Sequence, residues 1–125
     1  MHLTAWSTLA ALAVYGWTVF NAGRARVTYT VLAPSMDGPP AFLRAMRVQA
    51  NTLEQLPLLL APLWLCASFL GDAWAAGGGV LWCIGRIVYA LAYYRSPPSR
   101  AAGYLISLAA CAALMGGAVL GLLLR

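Results

Sequence analysis

Four long apolar runs follow one another along this chain, separated by short polar breaks. The pattern predicts four helices over residues 3–25, 41–70, 73–95 and 99–124. The first apolar run, residues 3–23, reaches ~31 Å as a helix, about one hydrocarbon thickness. The breaks carry turn chemistry. "APSMDGPP" (Ala33–Pro40) is rich in turn formers and sets Pro39 and Pro40 to open the second helix. Gly71 ends the second span, and Asp72 is placed to cap the third. "SPPSR" (Ser96–Arg100) is a tight turn with proline at a helix start. Pro57 and Pro62 fall inside the second span, where membrane helices tolerate proline, usually with a kink. The architecture expected is all-α: a four-helix up-down transmembrane bundle forming one domain over residues 1–125.

Composition moves the chain away from water. It is 62% hydrophobic and 9% charged, against about 25% charged residues in soluble domains. The first run lacks a basic leading segment and reads as a span rather than a signal peptide. All eight basic residues are arginines, and with three acids they give a net charge of +5. They lie beside the apolar spans, which favours anionic lipid or an anionic small ligand over nucleic acid. Arg24, Arg26, Arg44 and Arg47 flank the first break, and Arg95 and Arg100 flank the third. The second holds only Asp72. By the excess of basic residues in cytoplasmic loops, the first and third breaks face the cytoplasm, with Arg125 alone dissenting. Cys66, Cys83 and Cys111 each sit in an apolar run without CxxC spacing, and His2 is the single histidine. Neither a metal site nor a disulfide framework is expected.

Two spans carry polar groups that lipid would reject. "RAMRVQANTLEQLPLLL" starts the second, and on a helix Arg44, Arg47, Asn51 and Glu54 share an arc of roughly 80°. "GRIVYALAYYRSPPSR" ends the third, and Arg86, Tyr89 and Tyr93 share an arc of about 60°. Such stripes must face the bundle interior, a subunit interface or a polar cavity. Glu54 is the one acid within the spans, set against Arg47, Arg86 and Arg100. The surplus positive charge suits an anion, with tyrosine hydroxyls to orient it. The structural alternative is interhelical glue, snorkelling arginines and an aromatic belt. The five tryptophans read as interface anchors or packing.

These two stretches resemble the signatures of the MAPEG family, the membrane-associated proteins in eicosanoid and glutathione metabolism. Arg47, Gln49, Asn51 and Glu54 match the second-helix pattern. Arg86, Tyr89, Tyr93 and Arg100 match the third-helix pattern and the turn after it. Span count and loop polarity agree, so the resemblance covers nearly the whole chain. Several members carry tyrosine directly after the signature glutamate, where this chain has Gln55. The resemblance implies a homotrimer with glutathione, as substrate or cofactor, in clefts between subunits that open to the cytoplasm. It implies that Arg47, Gln49, Asn51, Glu54, Arg86, Tyr89 and Tyr93 hold the tripeptide. Arg100 is then the catalytic residue, beside the sulfur. Arg24 or Arg26 would contribute from the adjacent subunit.

The expectation is therefore a glutathione transferase conjugating the thiol to lipophilic electrophiles from the bilayer, with peroxidase activity as a side reaction. The arginine-only composition and short termini point to a bacterial inner-membrane protein. Two alternatives stand beside it. One is a non-catalytic family member serving as a lipid- or partner-binding scaffold. The other is a small transporter or channel subunit, which would need a polar pathway through the bundle.

Overall fold

The computed structural model describes residues 1–125. Four helices account for most of them: α1 (His2–Thr28), α2 (Pro40–Phe69), α3 (Asp72–Arg95) and α4 (Ala101–Leu123). A 3₁₀ turn over Pro97–Arg100 runs directly into α4. Each helix is long and apolar enough to cross a membrane. α1 runs on to Thr28, and Pro97–Arg100 of the SPPSR turn form a 3₁₀ turn. Ser96 is extended, as a residue before proline prefers, and this separates α3 from the 3₁₀ turn. α2 runs through Pro57 and Pro62 as one helix.

α2 and α3 pack against each other and against both other helices, while α1 and α4 occupy opposite corners. The two helices that carry the polar stripes are thus the central pair. The main core gathers Leu56, Leu59 and Leu63 of α2, Trp82 of α3 and Leu114 of α4. Trp82 is fully buried and its indole N–H donates to Gln55 Oε1 at 3.0 Å. It is a packing residue, whereas Trp6 and Trp74 are largely exposed, as interface anchors would be.

Charged groups outside the polar stripes tie helix ends together. Asp72 makes no cap for its own helix. Its carboxylate instead accepts from the backbone N–H groups of Thr4 at 2.8 Å and Leu3 at 3.1 Å, and from the Thr4 hydroxyl. Asp72 thus caps α1, where unpaired N–H groups and the helix dipole favour an anion. Arg44 reaches the carbonyls of Tyr94 and Arg95 at the end of α3, both at 3.4 Å. Arg125 donates to Ser68 O near the end of α2 at 3.2 Å. That contact gives the dissenting arginine a structural place. Arg26 donates to Ser35 O at 2.8 Å and lies over the Phe42 ring, 5.4 Å from its centroid. It holds the first loop against the bundle.

α3 and α4 approach backbone to backbone. A Cβ on Gly85 would lie 2.7 Å from Ser107 N, and one on Gly103 would meet the backbone of Tyr89. Part of the small-residue run near the end of α4 is used in the same way. Gly121 faces the Phe69 backbone and Gly117 faces Cys66. Those two glycines serve packing within the chain. Gly103→Ala would force α4 away from α3, and overpacking of this kind costs about 1–3 kcal/mol. The variant should unfold in mild detergent at a lower temperature than the wild type. Gly77→Ala, with nothing within 4 Å of the added methyl, should match or exceed the wild type.

Candidate functional site

The second-helix stripe forms one wall of a cleft. Asn51 and Glu54 follow Arg47 at four and seven residues, so the three side chains stack along one face of α2. α3 supplies the facing wall through Tyr89 and Tyr93, one helical turn apart, with ring centroids 5.6 Å apart. The floor comes from the turn into α4. Ser99 Oγ donates to Ser96 O at 2.7 Å and Ala92 O at 3.1 Å, which folds the turn back on α3. Arg100 donates to Pro97 O at 2.9 Å, and its guanidinium carbon lies 5.7 Å from the Tyr93 centroid. The close approach at Gly103 fixes α4 against Tyr89.

Two cavities meet at this floor. One, of about 400 Å³, is bordered by Arg47, Asn51, Glu54, Tyr89, Tyr93 and Arg100. The other, of about 640 Å³, adds Pro98, Ala101, Tyr104 and Leu105 of the turn and α4. Asn51, Tyr89 and Arg100 border both. The first is rich in charge and the second is mixed. A polar molecule in one and a less polar molecule in the other would meet at those three residues. Arg47, Glu54 and Arg100 are exposed, so their charged ends are open to a ligand.

Arg86 stands behind this cleft rather than in it. It is fully buried. Its Nη1 donates to Asn51 Oδ1 at 2.8 Å and to Thr52 Oγ1 at 3.4 Å. The guanidinium lies over the Tyr89 ring, 4.0 Å from the centroid. Its Nε and Nη2 have no partner within the chain. The cation that needed a partner finds amide, hydroxyl and aromatic face, not the carboxylate of Glu54.

The remaining expected residues lie elsewhere in the chain. Gln49 faces α1 and donates to the Tyr15 hydroxyl at 3.0 Å. Arg26 is engaged with the first loop. Arg24 is exposed on α1, over Phe20, and borders a separate cavity with Trp17, Asn21 and Tyr94. Gln55, at the position following the signature glutamate, is buried on Trp82 rather than open to the cleft. Two residues of the site escaped the sequence reading. Tyr104 borders the larger cavity, and its ring lies 6.3 Å from that of Tyr89. Its spacing of four from Arg100 was the available signal. Thr52 is fully buried under Arg86 and looks like an ordinary helical threonine in sequence.

Comparison with known proteins identifies the family. The MAPEG family model matches residues 3–120. An uncharacterized protein of the cyanobacterium Synechocystis is 40% identical over 116 residues, covering 93% of this chain and 85% of its own length. Mouse microsomal glutathione S-transferase 2 is 33% identical, over 89% of this chain and 74% of its own. Rat leukotriene C4 synthase is 34% identical, over 98% of this chain and 82% of its own. The chain belongs to the MAPEG family.

Proposed function

We propose that this protein binds glutathione in the α2–α3–α4 cleft and activates its thiol for conjugation to lipophilic electrophiles. The observation that carries this reading is the convergence of Arg47, Asn51, Glu54, Tyr89, Tyr93 and Arg100 on one cavity. Glutathione offers two carboxylates, an amine, two peptide groups and a thiol. Arginine forks carboxylates, so Arg47 suits a carboxylate end. Glu54 suits the amine or a peptide N–H. The two tyrosines add hydroxyls beside them. The kinship with a glutathione transferase and a leukotriene synthase supports the same ligand.

Arg100 is the residue assigned to the thiol. It ends the 3₁₀ turn at the head of α4, where the helix terminus already favours negative charge. A free thiol has a pKa of about 8.5 and is mostly protonated at neutral pH. Lowering it by about two units takes ~2.7 kcal/mol of preference for the thiolate, within reach of a fixed guanidinium in a poorly hydrated cleft. Arginine stays charged in such a place, where lysine would lose its proton. The mixed cavity beside Arg100, with Ala101, Tyr104 and Leu105, is open to a lipophilic reactant. Reduction of hydroperoxides by the same thiolate is a side activity of this arrangement.

A channel or transporter fits less well. At the other end of the bundle lies a cavity of about 590 Å³ lined by Leu70, Trp74, Leu81 and Leu114, with Cys66 at its base. It is apolar, unlike the cleft.

The same reading places the protein in the bacterial inner membrane as a homotrimer, with the cleft open to the cytoplasm. Arg47 and Glu54 lie on an outward face of a spanning helix. A neighbouring subunit there would remove them from lipid. Arg24 is free to reach across such an interface, while Arg26 is committed to its own loop. Native mass measurement in mild detergent should give three chains per particle. A monomer that still binds glutathione would overturn the assembly.

The catalytic assignment has its own test. Arg100→Ala should lower turnover and raise the pKa of the bound thiol, while S-methyl glutathione binds nearly as before. The measurement is a pH titration of thiolate ultraviolet absorbance in the glutathione complex, wild type against variant. Equal pKa values would reject Arg100 as the activating residue.

A further inference from the structure

We propose that Arg86 is a positioning residue of the cleft: by donating to Asn51 Oδ1 it fixes the Asn51 amide with its NH₂ group toward the ligand. The inference rests on the glutathione reading and deepens it, because it states which kind of atom Asn51 can recognise.

The orientation of Asn51 follows from hydrogen-bond chemistry. A guanidinium has donors only, so the Asn51 atom 2.8 Å from Arg86 Nη1 must be the carbonyl oxygen. The amide nitrogen then points away from Arg86. Asn51 borders both cavities of the cleft. The buried polar atoms left without a partner are Gln55 Nε2, Arg86 Nε and Arg86 Nη2, and Asn51 Nδ2 is not among them. Asn51 is half-buried and no hydrogen bond within the chain uses its Nδ2, so the NH₂ is free to donate. It matches an acceptor on the ligand: a carboxylate oxygen or a peptide carbonyl. It cannot serve a ligand amine.

Arg86 is itself firmly placed. The Thr52 hydroxyl donates to Val48 O at 2.7 Å, so its oxygen is oriented to accept from Arg86 Nη1 at 3.4 Å. The Tyr89 face lies 4.0 Å from the guanidinium carbon, an arrangement that favours the cation. Tyr89 is held in turn by the α4 backbone at Gly103. A buried side chain with no view of the cleft thus governs the Asn51 amide that lines it. Lysine at this position would carry the charge but lack the planar fork that reaches Asn51 while lying flat on Tyr89.

The test is a double-mutant cycle on glutathione affinity, measured by calorimetry on the detergent-solubilised protein alongside its thermal midpoint. Arg86→Lys and Asn51→Ala should each weaken binding about tenfold or more. If Arg86 acts through Asn51, the double variant should bind no more weakly than Asn51→Ala alone, within about twofold. The thermal midpoint of each variant should stay above the assay temperature, which shows that the loss of affinity is not unfolding. Additive losses in affinity would overturn the proposal. Asn51→Asp provides a second arm that keeps an acceptor for Arg86. It should retain or raise thermal stability and still lose glutathione about tenfold or more, because the donor is gone. Wild-type affinity in Asn51→Asp would show that Asn51 serves only to satisfy Arg86, and would overturn the proposal while leaving the glutathione reading intact. Failure of the wild type to bind glutathione would overturn both.

Discussion

A cation buried among four apolar helices sets the terms for the rest of this structure. Arg86 has no accessible surface, and its hydrogen bonds go to neutral groups. Burying a charge without such partners would cost far more than the packing around it returns. The chain meets that demand locally. Asn51 and Thr52 supply oxygens from α2, and Tyr89 supplies a ring face one turn along α3. These contacts lock α2 to α3 in one register at the end of the bundle where the basic loops lie. The stripes of Arg47, Asn51 and Glu54 and of Tyr89 and Tyr93 then face each other because the helices cannot rotate independently.

The close approach of α4 completes the arrangement. Gly85 and Gly103 let the backbones of α3 and α4 meet, which places the head of α4 beside Tyr89. Arg100 therefore reaches the cleft from a turn whose own hydrogen bonds, through Ser99 and Pro97, are internal. Helix ends elsewhere are closed by charge. Asp72 serves α1, Arg44 serves α3 and Arg125 serves α2. In each case a side chain from a different helix satisfies backbone groups that lipid cannot. Several arginines are spent in this way. Arg47 and Arg100, whose side chains are exposed, border the cleft.

Much of the fold was legible because membrane spans announce themselves by length and apolarity, and because Pro97 and Gly71 sit where helices must stop or start. The residues bordering the cleft were largely legible too. Arg47, Asn51 and Glu54 share one helical face, and periodicity alone collects them. Periodicity does not tell which neighbour a side chain meets. Gln49 belongs to the same run of sequence, yet its direction carries it to Tyr15 on α1. Asp72 begins α3, yet its carboxylate turns to α1 because the two N-termini lie side by side. Arg86 shares a face with Tyr89 and Tyr93, but its depth depends on how near α2 and α4 come. That distance is set by Gly85, Gly103 and Thr52, residues with no charge or motif to mark them.

The bundle is consequently asymmetric along its length. One end concentrates the arginines, tyrosines and Glu54 around two joined cavities. The other is lined by leucine, tryptophan and small residues around an apolar hollow. A polar thiol compound and a lipophilic partner differ in the medium they come from, and a site for both must open to both. The joined cavities offer two unlike walls. Arg47 and Glu54 offer charge on one side, and Ala101, Tyr104 and Leu105 offer a less polar wall on the other. Asn51, Tyr89 and Arg100 stand at the divide. Asn51 is held by Arg86, Tyr89 by the α4 backbone at Gly103, and Arg100 by its own turn. Rigidity at the divide matters most on the proposed reading, since a thiolate and its acceptor must meet there within bonding reach. The buried cation is then an investment in geometry rather than in stability: a hydrophobic residue in its place would pack more cheaply, but it would leave the Asn51 amide free to turn.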